Sequence, residues 1–213
     1  WWDERFLGLM AFTTSLDFLA ALGAGGIKLQ RSDLAKSAGF MGLATVIALA
    51  LSEQEFWHLI AGAGAAALAL YTAAFFLIEP IADPQKRRKS WMLLSVIGSL
   101  IVLAFFKYFN FLGDSANAFV AMFGGELGFV EQNIILPIAI SFITFQSMGR
   151  TIDAYRGDIV PSRDFIAFAT FLSYFPQLLA GPIERASSFL PQFLEQRNIS
   201  LAGIKAGAAL FGL

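Results

Sequence analysis

From Phe56 to Ile78 the chain carries no Asp, Glu, Lys or Arg. A stretch of that length and polarity matches what a helix needs to cross the hydrocarbon of a bilayer, about 17–25 residues. Other runs share its character. Phe6 to Leu22 is apolar apart from Thr13, Thr14, Ser15 and Asp17, and stops at the breaker Gly23-Ala24-Gly25-Gly26. Ala38 to Leu51 is a second run, short for a span. Trp91 to Leu112 holds one charge, Lys107, and Ile134 to Gly149 has Pro137 near its start. Phe165 to Leu179 ends at Ala180-Gly181-Pro182. Apolar residues fill every face of these runs, as expected of helices surrounded by lipid or protein. The chain is 57% hydrophobic and 15% charged, with a mean hydropathy of +0.65. Globular domains lie near 45–50% apolar and about 25% charged. The prediction is an all-α, polytopic transmembrane helical bundle in which residues 1–213 form a single membrane domain.

Basic residues set the orientation, because short cytoplasmic loops carry excess Lys and Arg. Lys28, Arg31 and Lys36 follow the first run, Lys86 to Lys89 the third, and Arg150, Arg156 and Arg163 the fifth. The alternate connections are acidic: Ser52-Glu53-Gln54-Glu55, and Gly113 to Asn133 with Asp114, Glu126 and Glu131. Five spans therefore alternate, the first running inward from outside, with Trp57 and Trp91 placed as interfacial rings. The sixth run breaks this pattern at Phe175-Pro176-Gln177 and Gly181-Pro182. Proline removes a backbone donor and clashes with the preceding turn. Irregular backbone at membrane depth persists only against protein or a cavity. Two arrangements fit, a re-entrant or broken helix and an ordinary span with a proline kink. The chain opens on Trp1-Trp2-Asp3 without an initiator Met and stops within Ala206 to Leu213, so it is expected to be the N-terminal portion of a longer protein.

Composition excludes several chemistries. A formal net charge of −1 offers no electrostatic footprint for nucleic acid. Without cysteine there is no disulfide, thiolate metal site or Cys nucleophile, and no cofactor or metal site is expected. His58, the one histidine, lies beside Trp57 at an outer span end. Ala63 stands where an HxxxxD acyltransferase pattern needs Asp, and no GxSxG elbow is present. His58 therefore reads as an interfacial ring. Gly62-Ala63-Gly64 lacks a following Lys-Ser or Lys-Thr and reads as a helix-packing surface. Lys86 to Lys89 reads as a topology-setting loop with some attraction for anionic headgroups. Asp17, in mid-span, needs a partner or a cavity; a structural hydrogen bond to a neighbouring helix is the simpler reading, a proton relay the other. Lys107 can snorkel past Tyr108 to the outer surface.

Leu136 to Pro191 is the most informative stretch. It reads LPIAISFITFQSMGRTIDAYRG and then FLSYFPQLLAGPIERASSFLPQF, setting Ser, Thr, Gln, Asp, Tyr and Arg inside apolar sequence. Such groups are costly in hydrocarbon and face a protein interior or a wet passage. On a helix, Gln146, Arg150 and Asp153 fall near one stripe. Arg150, Asp153 and Arg156 then form either an anchor for the helix end at the cytoplasmic rim or the entrance for a ligand carrying phosphate or a carrier protein.

In order and spacing, LPIxISFxTFQ, an acidic residue, YRG, FPQLLAGPIxR and FLPQF resemble the membrane-bound O-acyltransferases, in the branch of alginate O-acetyltransferases and the teichoic-acid D-alanylation protein. Phe6 to Ala20 is similar to an early pattern of that family, with Asp17 on its acidic position, and Phe105 to Phe111 is similar to its FFKYxNF element. Ala38 to Ile78 looks like an insertion relative to shorter relatives. The resemblance implies a multi-pass enzyme of the bacterial inner membrane. It would move an acyl group, acetyl rather than D-alanyl, from a cytoplasmic acyl-CoA or acyl carrier protein. The acceptor would be a hydroxyl of an extracytoplasmic polysaccharide such as alginate, or a periplasmic transfer partner, with membrane lipids around the bundle. It places the substrate-binding residues at Ser141, Gln146, Asp153, Arg156, Gln177, Gly181, Pro182 and Arg185, and the catalytic histidine downstream of the residues seen here. A non-catalytic membrane scaffold and a transporter or flippase for lipid-linked sugars are the alternatives from other classes.

Overall fold

The computed structural model describes residues 5–52, 57–125, 140–174 and 200–211. They form helices α1 (Arg5–Ala24), α2 (Arg31–Leu51), α3 (Trp57–Ile78), α4 (Pro84–Ala121), α5 (Ile140–Arg156), α6 (Phe165–Leu172) and α7 (Leu201–Phe211). The described residues are all-α. Three segments, Arg31–Leu51, Ile60–Ile78 and Pro84–Phe109, are long and apolar enough to cross a membrane.

α1 is the central pillar, packed by α2, α3, α4, α5 and α6. Residues 14–24 are buried without interruption, so no face of that stretch meets lipid. Phe18, Leu19, Ala20 and Leu22 sit in the core with Trp91, Tyr71, Phe168 and Phe171. Phe18 meets Phe165 edge-on at 5.0 Å, which seats α6 on the pillar. Outside this centre the pattern inverts, with Leu43, Val46, Leu70, Leu77 and Ile101 exposed on α2, α3 and α4. That outward apolar surface suits hydrocarbon and would be a liability in water.

Two glycines allow close approach. A Cβ on Gly23 would overlap the Trp91 indole, and one on Gly64 would sit 2.7 Å from Thr45 Cγ2. Gly64 thus packs α3 on α2, as the small-residue reading requires, whereas Gly62 meets nothing. Trp91 departs from its expected interfacial place: it is fully buried against Gly23, because the glycine opens a slot that fits the indole. His58 is exposed at the start of α3, and Lys107 is exposed with its ammonium 5.7 Å from the Tyr108 ring centroid.

The three basic segments gather at one end of the bundle, the end that the positive-inside rule would turn to the cytoplasm. Arg88 joins two helix ends there, its Nε donating to Ala24 O at 2.9 Å and its Nη2 to Tyr155 O at 2.6 Å. Orphaned carbonyls at helix C-termini carry partial negative charge, so a guanidinium is a natural partner. Arg163 pairs with Asp33 at 2.7 Å and donates to Lys28 O at 2.9 Å. Asp33 also accepts from Gln30 N at 2.9 Å at the start of α2, and Glu79 accepts from Leu29 N at 3.0 Å.

Several boundaries differ from the sequence reading. α2 begins at Arg31, seven residues ahead of the apolar run, and so reaches spanning length; the polar turn is carried by Asp33 and buried Ser37. Lys86 to Lys89 lie in the first turns of α4 rather than in a loop, since Asp83 caps Gln85 N and Lys86 N and Pro84 opens the helix. α4 continues past Leu112 to Ala121; at ~1.5 Å per residue it exceeds a ~30 Å hydrocarbon core. α6 ends at Leu172, with Ser173 as its C-cap. The proposed re-entrant or broken stretch through Pro176 and Pro182 lies outside the described residues.

Candidate functional site

The chemistry-bearing residues converge where α1, α4 and α5 meet beneath α6. On α5, Ile140, Ile143, Thr144, Gln146, Ser147, Arg150, Thr151 and Ala154 are buried. Their spacing follows the 3.6-residue turn, yet five of the eight are polar. The face they meet is polar as well: Asp17 on α1 is 2% exposed, and Ser95 and Ser99 on α4 are buried.

Ser95 Oγ donates to Asp17 Oδ1 at 2.7 Å and lies 3.2 Å from Thr151 Oγ1. Each hydroxyl has one proton, so the chain of donation runs from Thr151 to Ser95 to Asp17. Asp17 therefore has the structural hydrogen bond to a neighbouring helix expected of it. Arg150 turns inward, its guanidinium 4.0 Å from the Phe168 ring centroid, and attracts Asp17 across the α1–α5 interface. Ser147 lies beside Asp17, within reach of its carboxylate. A second tie runs from Ser15 Oγ on α1 to Ser37 O on α2 at 3.2 Å.

This arrangement splits the expected site. Gln146 is buried at the centre, Ser141 is half-buried one turn earlier, Asp153 is half-buried and Arg156 is exposed at the helix end. Arg150, Asp153 and Arg156 do not form a rim cluster: no ion pair joins them among the described residues, because Arg150 is drawn to the interior by Asp17 and Phe168. Gln177, Gly181, Pro182 and Arg185 lie outside the described residues. The sequence reading passed over Ser95, Ser147 and Thr151. Trp91, Ser95 and Ser99 recur every four residues in α4, a one-faced pattern that could have marked the surface turned to α1 and α5.

An apolar cavity of about 420 Å³ lies elsewhere, between α1, α2, α3 and α4, lined by residues such as Phe12, Met41, Ala63, Ala67 and Phe106. Its one hydroxyl, from Thr45, is satisfied by Met41 O at 2.9 Å.

The probable alginate O-acetylase AlgI of Azotobacter vinelandii is 47% identical over 103 residues, covering 48% of this chain and 20% of that protein. The chain is similar to the alginate O-acetylases. The protein of the same name from Pseudomonas putida is 44% identical over 126 residues, 59% of this chain and 26% of the relative. A peptidoglycan O-acetyltransferase of Helicobacter pylori is 28% identical over 157 residues, 62% of this chain and 29% of the relative. The chain thus spans a fifth to under a third of the length of these relatives. No family model and no solved structure matches it.

Proposed function

We propose that residues 1–213 are the N-terminal portion, one membrane domain, of a membrane-bound O-acyltransferase. The enzyme moves an acetyl group from a cytoplasmic thioester, acyl-CoA or acyl carrier protein, to a hydroxyl of a polysaccharide outside the bacterial inner membrane. The observation that carries this reading is identity of 42–47% to proteins named as probable alginate O-acetylases, on a chain with three helices long and apolar enough to cross a membrane. In the transfer, a base takes the acceptor's hydroxyl proton, the oxygen attacks the donor carbonyl, and the departing thiolate takes up a proton. A histidine outside these residues supplies the base, since His58 is exposed and stands apart from the polar cluster.

The buried polar face of α5 forms one wall of the passage. Gln146 lies on it, with Ser141 at the margin of that face and Asp153 and Arg156 toward the end of α5; Gln177, Gly181, Pro182 and Arg185 are assigned to substrate binding on the family resemblance alone. A narrow interior limits water as a competing nucleophile. The test is deletion of the gene in its host and measurement of ester-linked acetate on the extracellular polysaccharides. Loss on deletion and return on complementation support the reading; unchanged acetylation of alginate, cellulose and peptidoglycan refutes it.

A further inference from the structure

Two side chains one turn apart on α5 are buried without what buried polar groups require. Gln146 is 3% exposed and Arg150 2%. Among the described residues, neither side-chain amide atom of Gln146 nor any guanidinium nitrogen of Arg150 has a hydrogen-bond partner. Unpaired buried polar atoms are rare and costly. Five such atoms on one side of α5 mark a place where a further group supplies hydrogen-bond partners, acceptors above all.

The surroundings narrow its chemistry. Phe168 covers one face of the Arg150 guanidinium at 4.0 Å from the ring centroid. Stacking of this kind pins the plane and leaves the N–H edges, where donors point, for another partner. Asp17 balances the charge through attraction, but its Oδ1 is taken by Ser95 and it gives Arg150 no hydrogen bond. The site is near electrical neutrality yet short of acceptor oxygens. A doubly charged phosphate ester would face Asp17 at low dielectric, where like charges repel strongly. A neutral carbonyl brings oxygens without that penalty and a single carboxylate with about half of it, and Gln146 adds donors and an acceptor of its own.

We infer that Gln146 and Arg150 bind the carbonyl or carboxylate of a small acyl ligand. The site lies six residues from the end of α5 at Arg156, about 9 Å along the axis at ~1.5 Å per residue, on the side where the basic segments gather. The inference rests on the acyl-transfer reading, which provides the acyl group in the cytoplasm. Arg150 holds the donor's carbonyl oxygen, and Gln146 orients the group.

The test uses the intact protein in nanodiscs and calorimetric titration with three probes: S-acetyl phosphopantetheine, phosphopantetheine without the acetyl group, and sodium acetate. Binding of the acetylated probe stronger than that of its bare thiol is expected, with Arg150→Lys and Gln146→Leu each weakening it tenfold or more and leaving the bare thiol unchanged. A merely structural role would not separate the two probes. Acetate binding with the same sensitivity and no preference for the acetylated thiol identifies the ligand as a free carboxylate. Should Arg150→Lys fail to fold, the neutral Gln146→Leu carries the test. The inference is overturned if folded variants bind all three probes as the wild type does, or if the wild type binds neither acetylated probe nor acetate. Normal polysaccharide acetylation with unaltered variant binding would sink this site alone. Arg150-sensitive binding in a protein without acetylation would sink the functional reading and keep the site.

Discussion

Asp17→Asn separates the charge of Asp17 from its hydrogen bond. The residue is 2% exposed, accepts from Ser95 at 2.7 Å and attracts the buried Arg150. Asparagine keeps the shape and an acceptor oxygen for Ser95, so the change removes the charge that balances Arg150. Removing one partner of a contacting buried pair costs about 3–5 kcal/mol; Arg150 makes no hydrogen bond to Asp17, so that figure is the upper bound for the loss here. Ser95→Ala does the reverse, deleting the bond and keeping the charge; intramembrane hydrogen bonds average about 0.6 kcal/mol and reach about 1.7. Reversible unfolding in detergent micelles should therefore show Asp17→Asn several-fold more damaging than Ser95→Ala. Adding Arg150→Met removes the stranded cation, so the double variant should lose less than the sum of the singles, by about 2 kcal/mol. Equal losses for Asp17→Asn and Ser95→Ala, together with an additive cycle, would refute the assignment of the pair as an electrostatic unit.

Gly23→Ala pushes a methyl into the Trp91 indole and should cost about 1–3 kcal/mol by overpacking, seen as a lower Tm that Trp91→Leu partly restores. Arg88→Lys cannot bridge Ala24 O and Tyr155 O together; an unfolding loss of about 1.5–3 kcal/mol is expected for the charged hydrogen bond given up, and wild-type stability would show that the fork is not the tie. The chain has no cysteine, so single cysteines report topology: His58→Cys should react with an impermeant maleimide in intact spheroplasts, and Asp158→Cys only after lysis. The opposite pattern would invert the orientation.

The membrane class was legible because apolar length is a property of sequence alone, whereas of the five alternating spans expected three are long and apolar enough to cross among the described residues. Helix ends were less legible. Nothing in the apolar pattern reveals that Asp33 carries α2 back to Arg31, since that cap is a side-chain hydrogen bond within a polar turn. Arg150 was legible as an unusual residue but not in direction. Whether it reaches the rim or the interior depends on Asp17 and Phe168, which approach it only in the fold. Trp91 misled for a related reason, because its slot is made by a glycine on another helix.

The arginine ties at the basic end also bear on how the chain is assembled. Arg88 closes onto Ala24 from 64 residues downstream and onto Tyr155 from 67 residues upstream, and Arg163 reaches Asp33 across 130 residues. A chain synthesised from its N-terminus makes α1 and α2 long before these partners exist. The first two helices must therefore enter the bilayer on hydrophobicity alone, with their cytoplasmic ends unlatched. Arrival of Arg163 then fastens the first turn of α2 to the connection ahead of α6, so this latch closes only after α3, α4 and α5 have been made.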